Sequence, residues 1–217
     1  MRMRHFLFGL AAVLLSQICA AAQEGIDYVV LQNPKPQAQG TLTKIFSYDC
    51  KHCYKFDITV DADLIARIKQ KTNLTFNPVH IEQRAKYGRT ACEFFALCIL
   101  RDKAAGRDAY GKDSLFKKAK DALFAAYHKD GTRWLWGESS FIDTLTKATG
   151  ISSEDFSQSR RQHKVQALCD EWKWWYEAAK RQGIPAYVVN GKYLLLTANL
   201  RSVEQMAELI EELSKLP

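Results

Sequence analysis

The residues of this chain best suited to chemistry are two thiols three positions apart, Cys50 and Cys53, in Phe46-Ser47-Tyr48-Asp49-Cys50-Lys51-His52-Cys53-Tyr54. An alternating apolar run precedes them and a helical pattern follows, so Cys50 is expected at the first turn of a helix. A thiol there sits among unpaired backbone N–H groups at the positive end of the macrodipole, which favours its thiolate. Cys50 is therefore the candidate nucleophile. Cys53, one turn later, is close enough to attack any mixed disulfide that Cys50 forms. Such a pair can exchange disulfides. Lys51 and His52 lie between the thiols and can stabilise a thiolate electrostatically, which argues against an inert structural disulfide. Zinc would need a second pair of Cys or His ligands at similar spacing, and the sequence has none. Covalent haem would need His after the second Cys, where this chain has Tyr54. No metal and no cofactor are expected.

The compartment has to suit that chemistry. Arg2 and Arg4, the apolar run from Phe6 to Leu15 and Ala20-Ala21-Ala22 together describe a secretory leader over residues 1–22, with cleavage after Ala22. Its apolar core is too short for a stable membrane span. Cys19 lacks the small preceding residue of a lipoprotein signal and is expected to be discarded with the leader. Export places the mature chain where disulfides form and persist. Losing Arg2 and Arg4 lowers the formal charge only from +7 to +5, so the basic balance belongs to the folded part. It suits acidic clients, an anionic membrane surface or simple solubility. Nothing resembles a nucleic-acid module.

The elements that must hold the two thiols can be read from periodicity. Tyr28 to Leu31 is a short strand candidate, and Thr41 to Phe46 alternates, with Leu42, Lys44 and Phe46 on one face. After the thiols, Phe56, Val60, Leu64 and Ile68 recur at helical spacing, and Leu74 to Val79 reads as a strand. From about Gln83 the pattern is helical: Thr90 to Lys103, Asp113 to His128, Ser139 to Thr149 and Ser153 to Gly183. Strands return at Ala186–Val189 and Tyr193–Leu196 around Asn190-Gly191, a two-residue hairpin signal. Ser202 and Gln205 then cap a last helix, Val203 to Leu216. Strand, CxxC helix, strand, helical block, hairpin and helix is the order of an α/β thioredoxin fold with an inserted all-helical domain. The expected division is 23–82 and 171–217 for the thioredoxin-like part and 83–170 for the insertion.

Two motifs, Lys44 to Cys53 and Gly183-Ile184-Pro185-Ala186-Tyr187-Val188-Val189-Asn190-Gly191-Lys192-Tyr193, resemble the DsbA family of periplasmic thiol:disulfide oxidoreductases. Within it, Tyr54-Lys55-Phe56-Asp57, Phe116 to Lys120 and Ala125-Ala126-Tyr127-His128 are similar to the DsbL branch. The resemblance covers essentially the whole mature chain. It implies an exposed nucleophile at Cys50, a buried resolving thiol at Cys53 and a cis-proline at Pro185 facing them, with Ile184 helping to recognise an extended client segment. It also implies disulfide donation to reduced, exported clients and reoxidation by a membrane quinone reductase of the DsbB or DsbI kind. The expected protein is a monomeric periplasmic dithiol oxidase. The competing functions are a non-enzymatic peptide-binding or holdase module of the same fold, and a disulfide isomerase or reductase.

Several residues carry separate expectations. Lys44 stands where many DsbA relatives have a buried acid. Facing inward, it either snorkels to water or lowers the Cys50 pKa together with Lys51 and His52. Cys92 and Cys98 on one helix are about 9 Å apart along its axis and point in different directions, so they should not pair. Cys169 falls on an apolar stripe with Trp172 and Tyr176. A structural Cys98–Cys169 disulfide is expected, three buried free thiols being the alternative. His80 reads as a loop or packing residue rather than a base, and the Trp172, Trp175, Tyr176 stripe as packing.

Overall fold

A computed structural model describes residues 22–217. The expected leader, Cys19 included, lies outside the described residues apart from Ala22. In chain order the elements are β1 (Tyr28–Val30), β2 (Thr41–Phe46), α1 (Lys51–Phe56), a π turn (Asp57–Asp61), α2 (Ala62–Lys71), β3 (Thr75–His80), α3 (Gly88–Ala104) and α4 (Leu115–Phe124). A second π turn (Ala125–Lys129) leads to α5 (Glu138–Thr149), α6 (Ser153–Ser159), α7 (His163–Ala179), β4 (Ala186–Val189), β5 (Tyr193–Leu195) and α8 (Val203–Ser214).

The five strands form one mixed sheet in the order β1-β5-β4-β2-β3. β2 runs parallel to β3 and antiparallel to β4, so Lys44 is in register with Pro78 on one side and Tyr187 on the other. β3 can carry Pro78 because it is an edge strand, where the missing N–H breaks no ladder. β2 lies near the centre, and from Leu42 to Phe46 it is buried on both faces. Leu42, Tyr187, Val189 and Leu195 pack with α2 and α8, through Leu64, Ile68, Met206, Ile210 and Leu213. A larger core joins Ile45, Phe46 and Cys53 to Phe94, Phe95, Phe116, Phe124, Phe141 and Trp175 of the helices inserted between β3 and β4. This is the thioredoxin fold with a helical insertion.

One predicted helix is two. The run from Ser153 to Gly183 breaks at Arg160–Gln162 and stops at Ala179. No Gly or Pro marks the break. The chain leaves the helical conformation at Gln162 (ψ 138°), while Arg160 stays helical, ion-paired to Glu93 on α3 and Glu138 on α5, and its carbonyl accepts Gln166 Nε2–H at 2.6 Å. α7 then runs unbroken through positions 170 and 171, where the sequence reading divides insertion from thioredoxin-like part.

The β4–β5 hairpin turns on Asn190 (φ 54°) and Gly191 (φ 65°), the paired positive values of a type I′ turn. Asn190 also accepts the Gly40 N–H through Oδ1 at 3.0 Å. At Gly191 there is no space for a side chain, because a Cβ would lie 2.2 Å from the Lys35 carbonyl oxygen. Gly191→Ala is therefore expected to destabilise the protein by about 2 kcal/mol or more. Thermal unfolding checks this; a midpoint within 1 or so degrees of the parent, against a fall of roughly 5 °C expected, would refute it.

Candidate active site

β2 ends at Phe46 and delivers the chain, through Ser47, Tyr48 and Asp49, to the start of α1. Cys50 is the N-cap (φ −79°, ψ 112°), and its Sγ accepts the Cys53 N–H at 3.1 Å. Sulfur thus takes the place of the Ser, Thr or Asp oxygen that usually satisfies a first-turn donor. Cys50 and Cys53 are joined as a disulfide with their Cα atoms 5.2 Å apart. Cys50 corrects the exposed nucleophile that the resemblance implies: at 8% exposure it is buried, although Cys53, with none, is more deeply so. The Ile184–Pro185 peptide bond is cis, and Cys50 Sγ lies 3.5 Å from the Ile184 carbonyl oxygen. Lys51 and His52 are both exposed beside it.

Three aromatic or imidazole rings hold the approach to Cys50. The Tyr48 N–H donates to His80 Nε2 at 3.2 Å, and the two rings stack at 5.7 Å. The Tyr48 carbonyl accepts His128 Nε2–H at 3.0 Å, and the Tyr48 hydroxyl accepts the Tyr87 N–H at 3.2 Å. His128 lies flat on Tyr54, with centroids 4.8 Å apart, so it ties both ends of the CxxC turn to the insertion. Burial holds the His128 pKa below the usual imidazole value. His80 is wholly buried, as its sequence context suggested, and desolvation pushes its pKa down to about 3. Since Nε2 accepts from Tyr48, the ring proton sits on Nδ1, facing Cys92 Sγ at 3.3 Å.

Lys44 corrects one expectation. It is 3% exposed and neither snorkels nor stands as an unpaired cation, because it is ion-paired with Asp61. Asp61 also accepts hydrogen bonds from the Tyr187 and Tyr110 hydroxyls. Asp57, four residues earlier, accepts the Tyr110 hydroxyl at 2.6 Å and pairs with buried Lys120. Burial raises the Asp57 proton affinity, but Lys120 and Lys44 outweigh it and leave the pKa below the usual carboxylate value. Burial and then Asp61 keep the Tyr187 hydroxyl protonated, its pKa raised well above normal. Cys53, Asp57 and Asp61 recur every four residues along the CxxC helix. These two acids escaped the sequence reading; their four-residue spacing opposite an inward-facing lysine is the feature that could have marked the cluster. Nothing comparable marked His128 or Tyr48.

Cys98 and Cys169 correct another expectation, since both are free and buried, as is Cys92. α3 turns a different face to α7 from the one expected. Arg89, one turn from Cys92, bonds Gln166 and pairs with Asp170, on either side of Cys169. Cys98 lies about 120° further round α3, among Arg101, Asp102 and Arg107.

No model of a protein family matches this chain. Individual proteins do. The thiol:disulfide interchange protein DsbL of Klebsiella pneumoniae is 44% identical over 206 residues, covering 94% of this chain and 92% of that protein. The chain belongs to the DsbA family of thiol:disulfide oxidoreductases, in its DsbL branch. The thiol:disulfide interchange protein DsbA of Burkholderia cepacia is 26% identical over 211 residues, 95% of this chain and 91% of its own. Among solved structures, DsbL of Salmonella enterica serovar Typhimurium superposes with a TM-score of 0.86 at 44% identity, covering 91% of this chain and all of that one. A DsbA structure from Klebsiella pneumoniae, at 22% identity and a TM-score of 0.70, shares the fold, over 90% of this chain and 98% of its own.

The His80 environment has a consequence for stability. Its folded pKa is depressed, so the stability that depends on a neutral ring is present above about 6.5 and is lost as the pH falls toward 3. The slope in that window should approach about 1.4 kcal/mol per pH unit. Denaturant unfolding of the parent and of His80→Phe across the window tests it; equal slopes would show that His80 does not govern the loss.

Proposed function

We propose that this protein is an exported, monomeric dithiol oxidase of the periplasm that gives its Cys50–Cys53 disulfide to reduced client proteins. The observation that carries the reading is Cys50 Sγ itself: on the less buried residue of the pair, accepting the Cys53 N–H and set 3.5 Å from the carbonyl before a cis proline. A client thiolate attacks Cys50 Sγ, the Cys50–Cys53 bond breaks, and Cys53 leaves with the electron pair. A second client thiolate then attacks the client sulfur of the mixed disulfide and expels Cys50 as a thiolate. The client loses two electrons and the protein gains them. The helix start lowers the energy of that leaving thiolate, so the equilibrium favours handing the disulfide away.

Each neighbouring residue has a part in this reading. Pro185 has no N–H and leaves adjacent backbone free to pair with an extended client strand, with Ile184 setting its fit. Lys51 and His52 stabilise the Cys50 thiolate directly. Lys44 acts only with Asp61, and a neutral pair exerts a weaker field at Cys50 than a lone cation does. A membrane quinone reductase of the DsbB or DsbI kind restores the disulfide.

Stoichiometric oxidised protein mixed with a reduced, unfolded disulfide protein is expected to consume client thiols in pairs, and Cys50→Ser to consume none. If the oxidised protein leaves client thiols untouched while Cys50→Ser binds the client equally well, the fold serves as a holdase instead. Lys51→Met is expected to raise the Cys50 pKa by about half a unit. Lys44→Met should shift it less while lowering stability by about 3 kcal/mol, since it strands Asp61 in the core. Ultraviolet thiolate absorbance against pH and denaturant unfolding measure the two; a larger pKa change in Lys44→Met than in Lys51→Met would reverse the assignment.

A further inference from the structure

The loop between the second π turn and α5 ends in a tip that disulfide exchange does not use. Among the described residues, Leu135 and Trp136 are consecutive and 79% and 90% exposed. Single exposed apolar residues are ordinary, but two large ones projecting side by side call for a cover. The tip is also rigid. Trp134 behind it is 4% exposed, with its ring edge-on to Tyr48 at 5.7 Å and to Phe141 at 4.8 Å. Its Nε1–H donates to Thr144 Oγ1 at 2.9 Å, and its carbonyl accepts the Tyr87 hydroxyl at 3.1 Å. Trp134 has φ 46°, a left-handed conformation that a bulky residue keeps only where its surroundings impose it. A tip held outward in this way loses little conformational freedom on contact.

The surroundings of the tip are cationic. Exposed Arg133 lies with its guanidinium 3.9 Å from the Tyr127 ring centroid and donates to the Tyr127 and Thr132 carbonyls. Exposed Lys86 has its Nζ 5.0 Å over the Tyr87 ring that bonds Trp134. Of the acids in this segment, Glu138 is engaged by Arg160 and Thr90, which leaves Asp130. Without Arg2 and Arg4 of the leader, the formal charge is +5.

We propose that Leu135 and Trp136 form a peripheral anchor that inserts into the interface of an anionic phospholipid bilayer, with Arg133 and Lys86 against the headgroups. A protruding Trp–Leu pair ringed by Lys and Arg matches the preferences of the membrane–water interface, and a projection suits a deformable surface better than it suits a rigid partner. No helix among the described residues is long and apolar enough to cross a membrane, so the contact is superficial. Trp134 rests on Tyr48, two residues before Cys50, so the same aromatic cluster that displays the tip also fixes the dithiol's orientation relative to the bilayer.

The test is co-sedimentation of the exported form with vesicles of mixed phosphatidylglycerol and phosphatidylcholine, and with vesicles of phosphatidylcholine alone. Binding to the anionic vesicles that weakens with salt is expected. The double variant Leu135→Ser, Trp136→Ser should bind roughly tenfold more weakly, and Arg133→Glu about fivefold more weakly. All three forms should oxidise a soluble reduced peptide at the same rate. Absence of binding to anionic vesicles at low salt, or equal binding by the double variant, overturns the proposal. Slower oxidation of a soluble protein client by the double variant, with vesicle binding intact, overturns it too and assigns the tip to clients.

Discussion

The first turn of an α-helix presents N–H groups that the helix itself cannot satisfy, and whatever accepts them shares the positive end of its dipole. Here the acceptor is sulfur. Cys50 Sγ occupies the cap and takes the Cys53 N–H, so in the proposed exchange the group that gains and loses negative charge sits where the helix start stabilises that charge. The remaining architecture keeps the cap in place. β2 aims the chain, His80 and His128 hold Tyr48 through its N–H and carbonyl, and the strand beginning at Ala186 brings Ile184 and Pro185 against the sulfur.

A second constraint lies beneath the first. The CxxC helix continues inward past Cys53 and carries two carboxylates into the protein, Asp57 and Asp61. Buried carboxylates need partners, and each finds a lysine and a tyrosine from a different element: Lys44 on β2 and Tyr187 on β4 for Asp61, and Lys120 on α4 with Tyr110 for Asp57. The cluster therefore ties the sheet, the active-site helix and the insertion together. Breaking any one ion pair leaves a charge without compensation, which is far more damaging than losing an exposed pair.

The helical insertion serves the site as well as covering it. Tyr87, Tyr127, Trp134 and Phe141 converge on Tyr48, so the turn carrying Cys50 is braced by residues distant in sequence. Cys92, Cys98 and Cys169 are buried among these helices, and desolvation raises all three thiol pKa values. They remain poor nucleophiles beside Cys50, which confines the redox chemistry to one pair.

The sequence by itself determined the dithiol, the helix start beneath it, the Asn190–Gly191 hairpin, the order of elements and the inward direction of Lys44. All of these follow from local rules: cap preference, periodicity of two or 3.6, and turn residues that tolerate positive φ. Tertiary structure alone decided the rest. Which acid neutralises Lys44, which thiol of α3 faces Cys169, where α6 gives way to α7 and which imidazole holds Tyr48 all depend on the rotation and placement of helices packed far apart in sequence. Periodicity shows which face of a helix is apolar. It does not show which neighbour that face will meet, because packing geometry is settled by the shapes of both surfaces together.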